Sequence, residues 1–169
     1  MPEDQTFDDP TGSNLWRPLG ILLDAVDADI ARVYADAAID GVKPTWVKEL
    51  LHLHLHGPMT ITELAESMNR THSALSQKVA AMRTAGLVRT TPGPDARTKR
   101  VALTPKSRRL VTRLAAEWRA TEAALAELEA EIPYPLSRAV ADVEQALARK
   151  SFHERLTERL REDPAWRGE

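Results

Sequence analysis

No cysteine occurs among the 169 residues of this chain. Disulfide staples are thereby excluded, and so is any switch that works through a reactive thiol. No stretch approaches about 18 uninterrupted apolar residues, so a transmembrane helix is not expected. The opening residues, Met1 to Ser13, are acidic and polar, without the basic and apolar regions of a secretion signal. A cytoplasmic protein is therefore expected. The chain also lacks a Gly-rich phosphate loop, a Gly-x-Ser-x-Gly elbow and a recognisable pair of catalytic acids. Neither enzymatic activity nor a cofactor is expected. What is there in quantity is apolar side chain, 43% of the total, enough for one globular domain with a real core.

The net charge of −2 conceals a segregation. Residues 1–40 carry 2 basic and 9 acidic side chains, residues 41–115 carry 13 and 4, and residues 116–169 carry 8 and 12. A basic middle between acidic ends is what a phosphate-facing module on a scaffold that does not face phosphate would show. Chance clustering on a solvated surface is the alternative.

Residues 15–40 read as one long helix. Leu19, Leu23, Val26, Ile30, Val33 and Ala37 recur at steps of four and three, a narrow seam of the heptad type. Gly41 is the expected stop. Pro44 suits the first turn of the next helix, which should run to about His56 and end at Gly57-Pro58. The alternation over 51–56 also fits a strand, but segment length and the break after it favour helix. The segment from 105 to about 131 repeats the heptad seam through Leu110, Leu114, Trp118, Thr121, Leu125, Leu128 and Ile132. After Pro133 and Pro135, a third seam comprises Leu136, Val140, Val143 and Leu147, with Leu156 and Leu160 as a possible extension.

Residues 60–104 carry the sharpest signal. Thr60 and Glu63 have capping-box spacing at the head of a short helix bearing Ile61, Leu64, Ala65 and Met68. Asn69-Arg70 makes a turn, and Thr71 caps a helix over about 72–85. There Leu75, Val79 and Met82 fall at i, i+4 and i+7 and should face the core. Ser73, Ser76, Gln77 and Ala80 then point outward together. Small and amide side chains let a helix enter a major groove about 12 Å wide, and Gln77 has the donor and acceptor to pair with adenine. Arg70, Thr71, Lys78 and Arg83 flank this face and suit phosphate contacts, which position without specifying. Two short strands, 87–91 and 99–103, follow, joined by a Pro92-Gly93-Pro94 turn. At the tip, Asp95 and Arg97 can pair, leaving Arg97 to project toward a narrow minor groove. Lys99 and Arg100 add phosphate-facing charge. Thr104-Pro105 then caps and starts the next helix.

Thr60-Ile61-Thr62-Glu63-Leu64-Ala65, Gly86-Leu87-Val88, Asp95-x-Arg97 and Leu103-Thr104-Pro105 together resemble the MarR (multiple-antibiotic-resistance regulator) family of bacterial transcription factors. With the long flanking helices the resemblance extends over roughly residues 15–150. Ser107 departs from it, since relatives usually place Gly there. The implied fold is mainly α: a winged helix-turn-helix with a short β-hairpin wing, and long N- and C-terminal helices forming a dimerisation stem. The expected divisions are an acidic disordered tail (1–14), a dimerisation helix (15–43), the winged module (44–104) and C-terminal dimerisation helices (105–162). The resemblance implies a homodimer, and the heptad seams agree with it independently through Leu19, Leu23, Val26, Leu125, Leu128, Val140, Val143 and Leu147. A purely intramolecular helical core is the competing reading. Also implied are pseudo-palindromic double-stranded DNA as partner and, by what most members do, repression. A small aromatic or lipophilic effector would release the DNA, and family topology places Tyr34, Trp46, Leu50 and His54 in its pocket.

Two further readings compete. His52 and His56 lie one helical turn apart, workable spacing for a metal-responsive regulator. His54 points elsewhere, and no carboxylate lies between Glu49 and Glu63, so no metal is assigned. The winged module can alternatively serve protein interaction without DNA specificity.

Overall fold

A computed structural model describes residues 10–93 and 98–167. It is a mainly α winged helix-turn-helix. Seven helices of more than one turn are described: α1 (Arg17–Asp36), α2 (Val47–His56), α3 (Ile61–Ser67), α4 (His72–Thr84), α5 (Pro105–Glu131), α6 (Leu136–Arg149) and α7 (Phe152–Glu162). Strands β1 (Val88–Pro92) and β2 (Lys99–Leu103) form an antiparallel hairpin between α4 and α5. Short 3-10 turns occupy Pro10–Gly12 and Pro44–Trp46. Of the expected acidic tail, residues 1–9 lie outside the described residues. The chain divides into two compact units within α5, after Arg119.

In the first unit, three helices end by the same device. At the close of α4, the Leu87 N–H donates to the Met82 carbonyl and the Gly86 N–H to Arg83, both at 2.9 Å. Gly86 takes the left-handed conformation that this motif requires, and Leu87 and Met82 are fully buried. At the close of α3, Asn69 fills the left-handed position and Arg70 N–H reaches the Ala65 carbonyl. This is the expected turn between α3 and α4. The end of α1 differs from expectation. The helix does not run to residue 40 and Gly41 does not stop it. Ala38 adopts the left-handed conformation, and the Ile39 N–H donates to the Tyr34 carbonyl at 2.8 Å. Burial of Ile39 against the core compensates an alanine where glycine is the usual choice. Arg113 of α5 donates to the Ala37 carbonyl and adds a second tie at this end.

The core gathers Leu50 from α2, Leu64 from α3, Leu75, Val79 and Met82 from α4, Leu87, Val101 and Leu103 from the hairpin, and Val111 and Leu114 from α5. Val88 opposes Leu103 and Pro92 opposes Lys99 in the hairpin register. Met59 extends the sheet by one bridge, exchanging two backbone hydrogen bonds with Val101. A Cβ at Gly93 would lie 2.8 Å from Thr98 Oγ1, so the hairpin needs glycine where it narrows. At the start of α5 the Thr104 hydroxyl donates to the Gly86 carbonyl, and the buried Ser107 hydroxyl donates to the Leu87 carbonyl at 2.6 Å. The departure at Ser107 therefore fastens α5 to the entry of β1.

The second unit is helical. Glu129 accepts hydrogen bonds from both the backbone and the hydroxyl of Ser137, fixing the head of α6. The third seam does not continue without interruption through Leu156 and Leu160. Extended backbone at Lys150 breaks it, and Ser151 with Glu154 forms a capping box that starts α7 afresh. Arg155 closes the break by donating to the Lys150 and Ala146 carbonyls. Neither α6 nor α7 contains a buried residue. None of the described helices is long and apolar enough to cross a membrane.

Candidate nucleic-acid interface

The interface begins at the head of α3. The Thr60 hydroxyl accepts from the Glu63 N–H, and Glu63 accepts from the Thr60 N–H at 2.7 Å. Those bonds hold the Glu63 carboxyl below the usual carboxylate range, with Arg100 of β2 a smaller influence. After the Asn69 turn, Thr71 caps α4 by accepting from the Ala74 N–H. Both caps are local devices. They fix where α3 and α4 each start, and the Asn69 turn between them sets how α4 follows α3.

That face is as expected. Leu75, Val79 and Met82 are buried, while Ser73, Gln77 and Ala80 are exposed and Ser76 is half-exposed. Arg70, Thr71 and Arg83 are exposed around it. His72, at the first position of α4, is also exposed beside Ser73 and was not singled out by the sequence reading. Its signal was its place directly after the cap. Arg89 on β1 is likewise an exposed cation that the reading passed over.

Lys78 is the exception. It was expected to face phosphates, but its ammonium turns inward. Nζ lies 2.7 Å from Glu49 Oε1 and 2.9 Å from the Thr45 carbonyl. Glu49 is only 2% exposed, and its second oxygen is buried without a hydrogen-bond partner. The reason is positional. Lys78 follows Leu75 by three residues and precedes Met82 by four, so it sits at the edge of the buried face.

In the wing, Lys99 is exposed and Arg100 half-buried, with its Nε buried and unpartnered. Arg100 is therefore less outward than expected. Asp95 and Arg97 lie outside the described residues.

A cavity of about 290 Å³ opens between α2 and α5, lined by Leu51, His54, Leu55, Val111, Thr112, Ala115 and Arg119. Its lining is mainly apolar, with His54 and Arg119 among it. Of the residues expected in an effector pocket, His54 lines this cavity. Tyr34, Trp46 and Leu50 are instead core residues, 2%, 8% and 0% exposed. Their apolar bulk is used to join α1 and α2 to the rest of the unit. The Tyr34 hydroxyl finds its partner in Glu117 at 2.6 Å, and burial followed by this carboxylate raises its pKa.

His52 and His56 pack ring against ring with centroids 4.3 Å apart. Burial first, then His56 and Lys48, lower the pKa of His52. Among the described residues no group of three His, Cys, Asp or Glu side chains converges as metal ligands.

The residues expected to form a dimer seam are largely solvated in the single chain. Leu23 is 55% exposed, Leu128 47% and Val140 46%; Leu125, Val143 and Leu147 are also exposed, and Leu19 and Val26 are half-buried.

Residues 40–98 match the model of the MarR family. The fold is similar to that of the Mycobacterium tuberculosis transcriptional regulator MOSR, solved in complex with DNA. The two share 28% identity with a TM-score of 0.55, over 78% of this chain and 91% of that one. A MarR family transcription regulator, SP03579, is 25% identical with a TM-score of 0.53, over 84% and 87% of the two chains. The Staphylococcus aureus MepR–DNA complex gives a TM-score of 0.59 at 14% identity, over 80% and 97%, a likeness of fold alone. Comparison with curated protein sequences returns no match.

Proposed function

We propose that the chain is a winged helix-turn-helix transcription factor of the MarR family, whose model matches residues 40–98, and that it works as a homodimeric repressor that reads duplex DNA through α4 and is released by a small molecule. One observation carries the reading. The apolar face of α4 is buried and both its ends are locked, leaving Ser73 and Gln77 outward with Arg70 and Arg83 beside them. That is the arrangement a major-groove helix requires: base-reading groups along the centre, cations at the flanks. The DNA complex of MOSR supports the same reading. Arg97 at the hairpin tip is assigned to the adjacent minor groove from the sequence alone.

Dimerisation is supported by the second unit, where α6 and α7 bury nothing and Val140, Val143 and Leu147 form an exposed apolar stripe. Such a stripe calls for a second surface, and a two-fold partner supplies the same one. Two α4 helices related in this way fit half-sites about one helical turn apart.

The cavity between α2 and α5 is the place proposed for the effector. Mainly apolar walls that include Arg119 and His54 suit an aromatic or lipophilic molecule that carries an anionic group. Titrating a labelled duplex with the full chain at several salt concentrations tests the central part. A regulator of this kind binds as a dimer, and its affinity falls steeply with salt as phosphate counterions are released. A protein-interaction module would bind duplex weakly and without preference among sequences.

A further inference from the structure

We propose that Glu49 is a positioning residue for DNA reading: by holding Lys78 from α2, it sets the rotation of α4 and thereby the direction in which Ser73 and Gln77 point. The inference rests on the duplex-binding reading above. It assigns to Lys78, and to its partner Glu49, a task other than contacting phosphate.

Apolar packing alone does not fix the rotation of α4. Leu75, Val79 and Met82 hold α4 against the core, but burial of apolar surface is non-directional. A helix on such a face tolerates small rotations about its axis. A charge-assisted hydrogen bond does not tolerate them in the same way. Lys78 reaches Glu49 Oε1 at 2.7 Å and the Thr45 carbonyl at 2.9 Å, two acceptors at the first turn of α2 and just before it. Gln77 is the neighbouring residue, so any rotation that swings its amide also strains this contact.

Energetics point the same way. Glu49 is 2% exposed, and its other oxygen has no partner. Burying an ion pair costs much of what its attraction returns, and apolar replacement of such a pair is often neutral or stabilising. A half-satisfied buried carboxylate is a poor device for stability alone. It is a good device for fixing one orientation among several that pack equally well.

The test uses the full chain and the duplex that the wild type enriches from a random pool. Four proteins are compared: wild type, Glu49→Gln, Lys78→Met and the double variant Glu49→Met/Lys78→Met. Each is measured for thermal midpoint, for discrimination between the enriched and a scrambled duplex, and for the slope of log affinity against log salt. The double variant leaves no buried charge and should fold, so it separates orientation from stability. Expected is a loss of discrimination of about tenfold or more in all three variants. Their salt slopes should stay within about half a contact of the wild type, because no phosphate contact has been removed. Wild-type discrimination in the folded double variant would overturn the inference and reduce the pair to packing. So would a salt slope lowered by about 0.9 in Lys78→Met with Glu49→Gln unchanged, which would make Lys78 a phosphate contact. A wild type that enriches no duplex would overturn the duplex-binding reading itself, and this inference with it.

Discussion

The Tyr34 hydroxyl donates a 2.6 Å hydrogen bond to Glu117, joining α1 to α5 across 83 positions of sequence. Tyr34 is 2% exposed, so its ring fills the core while its oxygen reaches the carboxylate at the edge. Replacing it by Phe keeps the ring and removes the bond. The expected loss is about 1 kcal/mol, read as a thermal midpoint lowered by a few degrees. The pH dependence has a definite sign. Burial and Glu117 raise the folded-state pKa of Tyr34 above its ordinary value of 10.0. The unfolded chain therefore releases this proton first as pH rises. The contribution is fully present below pH 10 and declines above it. Tyr34→Phe should flatten that alkaline decline, and an unchanged alkaline profile would show that Tyr34 does not govern it.

Ser107→Ala should cost about as much as one buried hydrogen bond. The serine is 0% exposed and its hydroxyl donates to the Leu87 carbonyl. The Leu87 carbonyl keeps the Thr104 N–H as a donor at 3.1 Å, so alanine removes one buried hydrogen bond, at about 0.5–1.5 kcal/mol. Denaturant unfolding of the two proteins checks it. Duplex affinity at saturating stability should be unchanged, since Ser107 lies away from the outward face of α4.

Acid should loosen the head of α3. The bonds from Thr60 depress the Glu63 pKa, so this carboxylate contributes stability above its unfolded value of 4.5 that is lost as pH falls through the lower folded value. Glu63→Gln should remove this part of the acid response. Thr60→Ala removes the other half of the box and should cost about 0.5–2 kcal/mol at neutral pH. Thermal melts from pH 3 to pH 7 would contradict the assignment if both variants kept the wild-type profile.

Val140→Asp and Val143→Asp place charges on the exposed stripe of α6. If that stripe is the seam of a dimer, sedimentation should show monomers where the wild type is dimeric. Duplex affinity should fall by far more than a surface substitution explains, because one half-site is lost along with the second α4. A wild type that sediments as a monomer would restore the intramolecular reading of the helical core.

How much of this was legible beforehand divides along local and long-range lines. The Thr60 and Thr71 caps, the buried side of α4, the hairpin and the start of α5 depend on residues within a few positions of each other, and the sequence pattern predicts them. The end of α1 was not legible. Ala38 is not a residue that favours the left-handed region, and what holds it there, the burial of Ile39 and the tie from Arg113, is long-range. The inward turn of Lys78 depends on Glu49, 29 positions away, which spacing along α4 cannot reveal. Tyr34, Trp46 and Leu50 were placed near a pocket by topology, and topology does not distinguish a core position from a cavity wall. The break between α6 and α7 was legible and missed: Ser151 and Glu154 have the same spacing as Thr60 and Glu63.

Selection from a random duplex pool tests the central claim most directly, using the wild type, Gln77→Ala and Arg97→Ala. The account predicts that the wild type enriches a two-fold symmetric sequence with half-sites about one helical turn apart. Gln77→Ala should change the preferred bases, because base contacts specify, and Arg97→Ala should weaken binding while the dimer stays folded. No enrichment by a well-folded wild type, or an identical preferred sequence from Gln77→Ala, would contradict the claim that α4 reads DNA through this face.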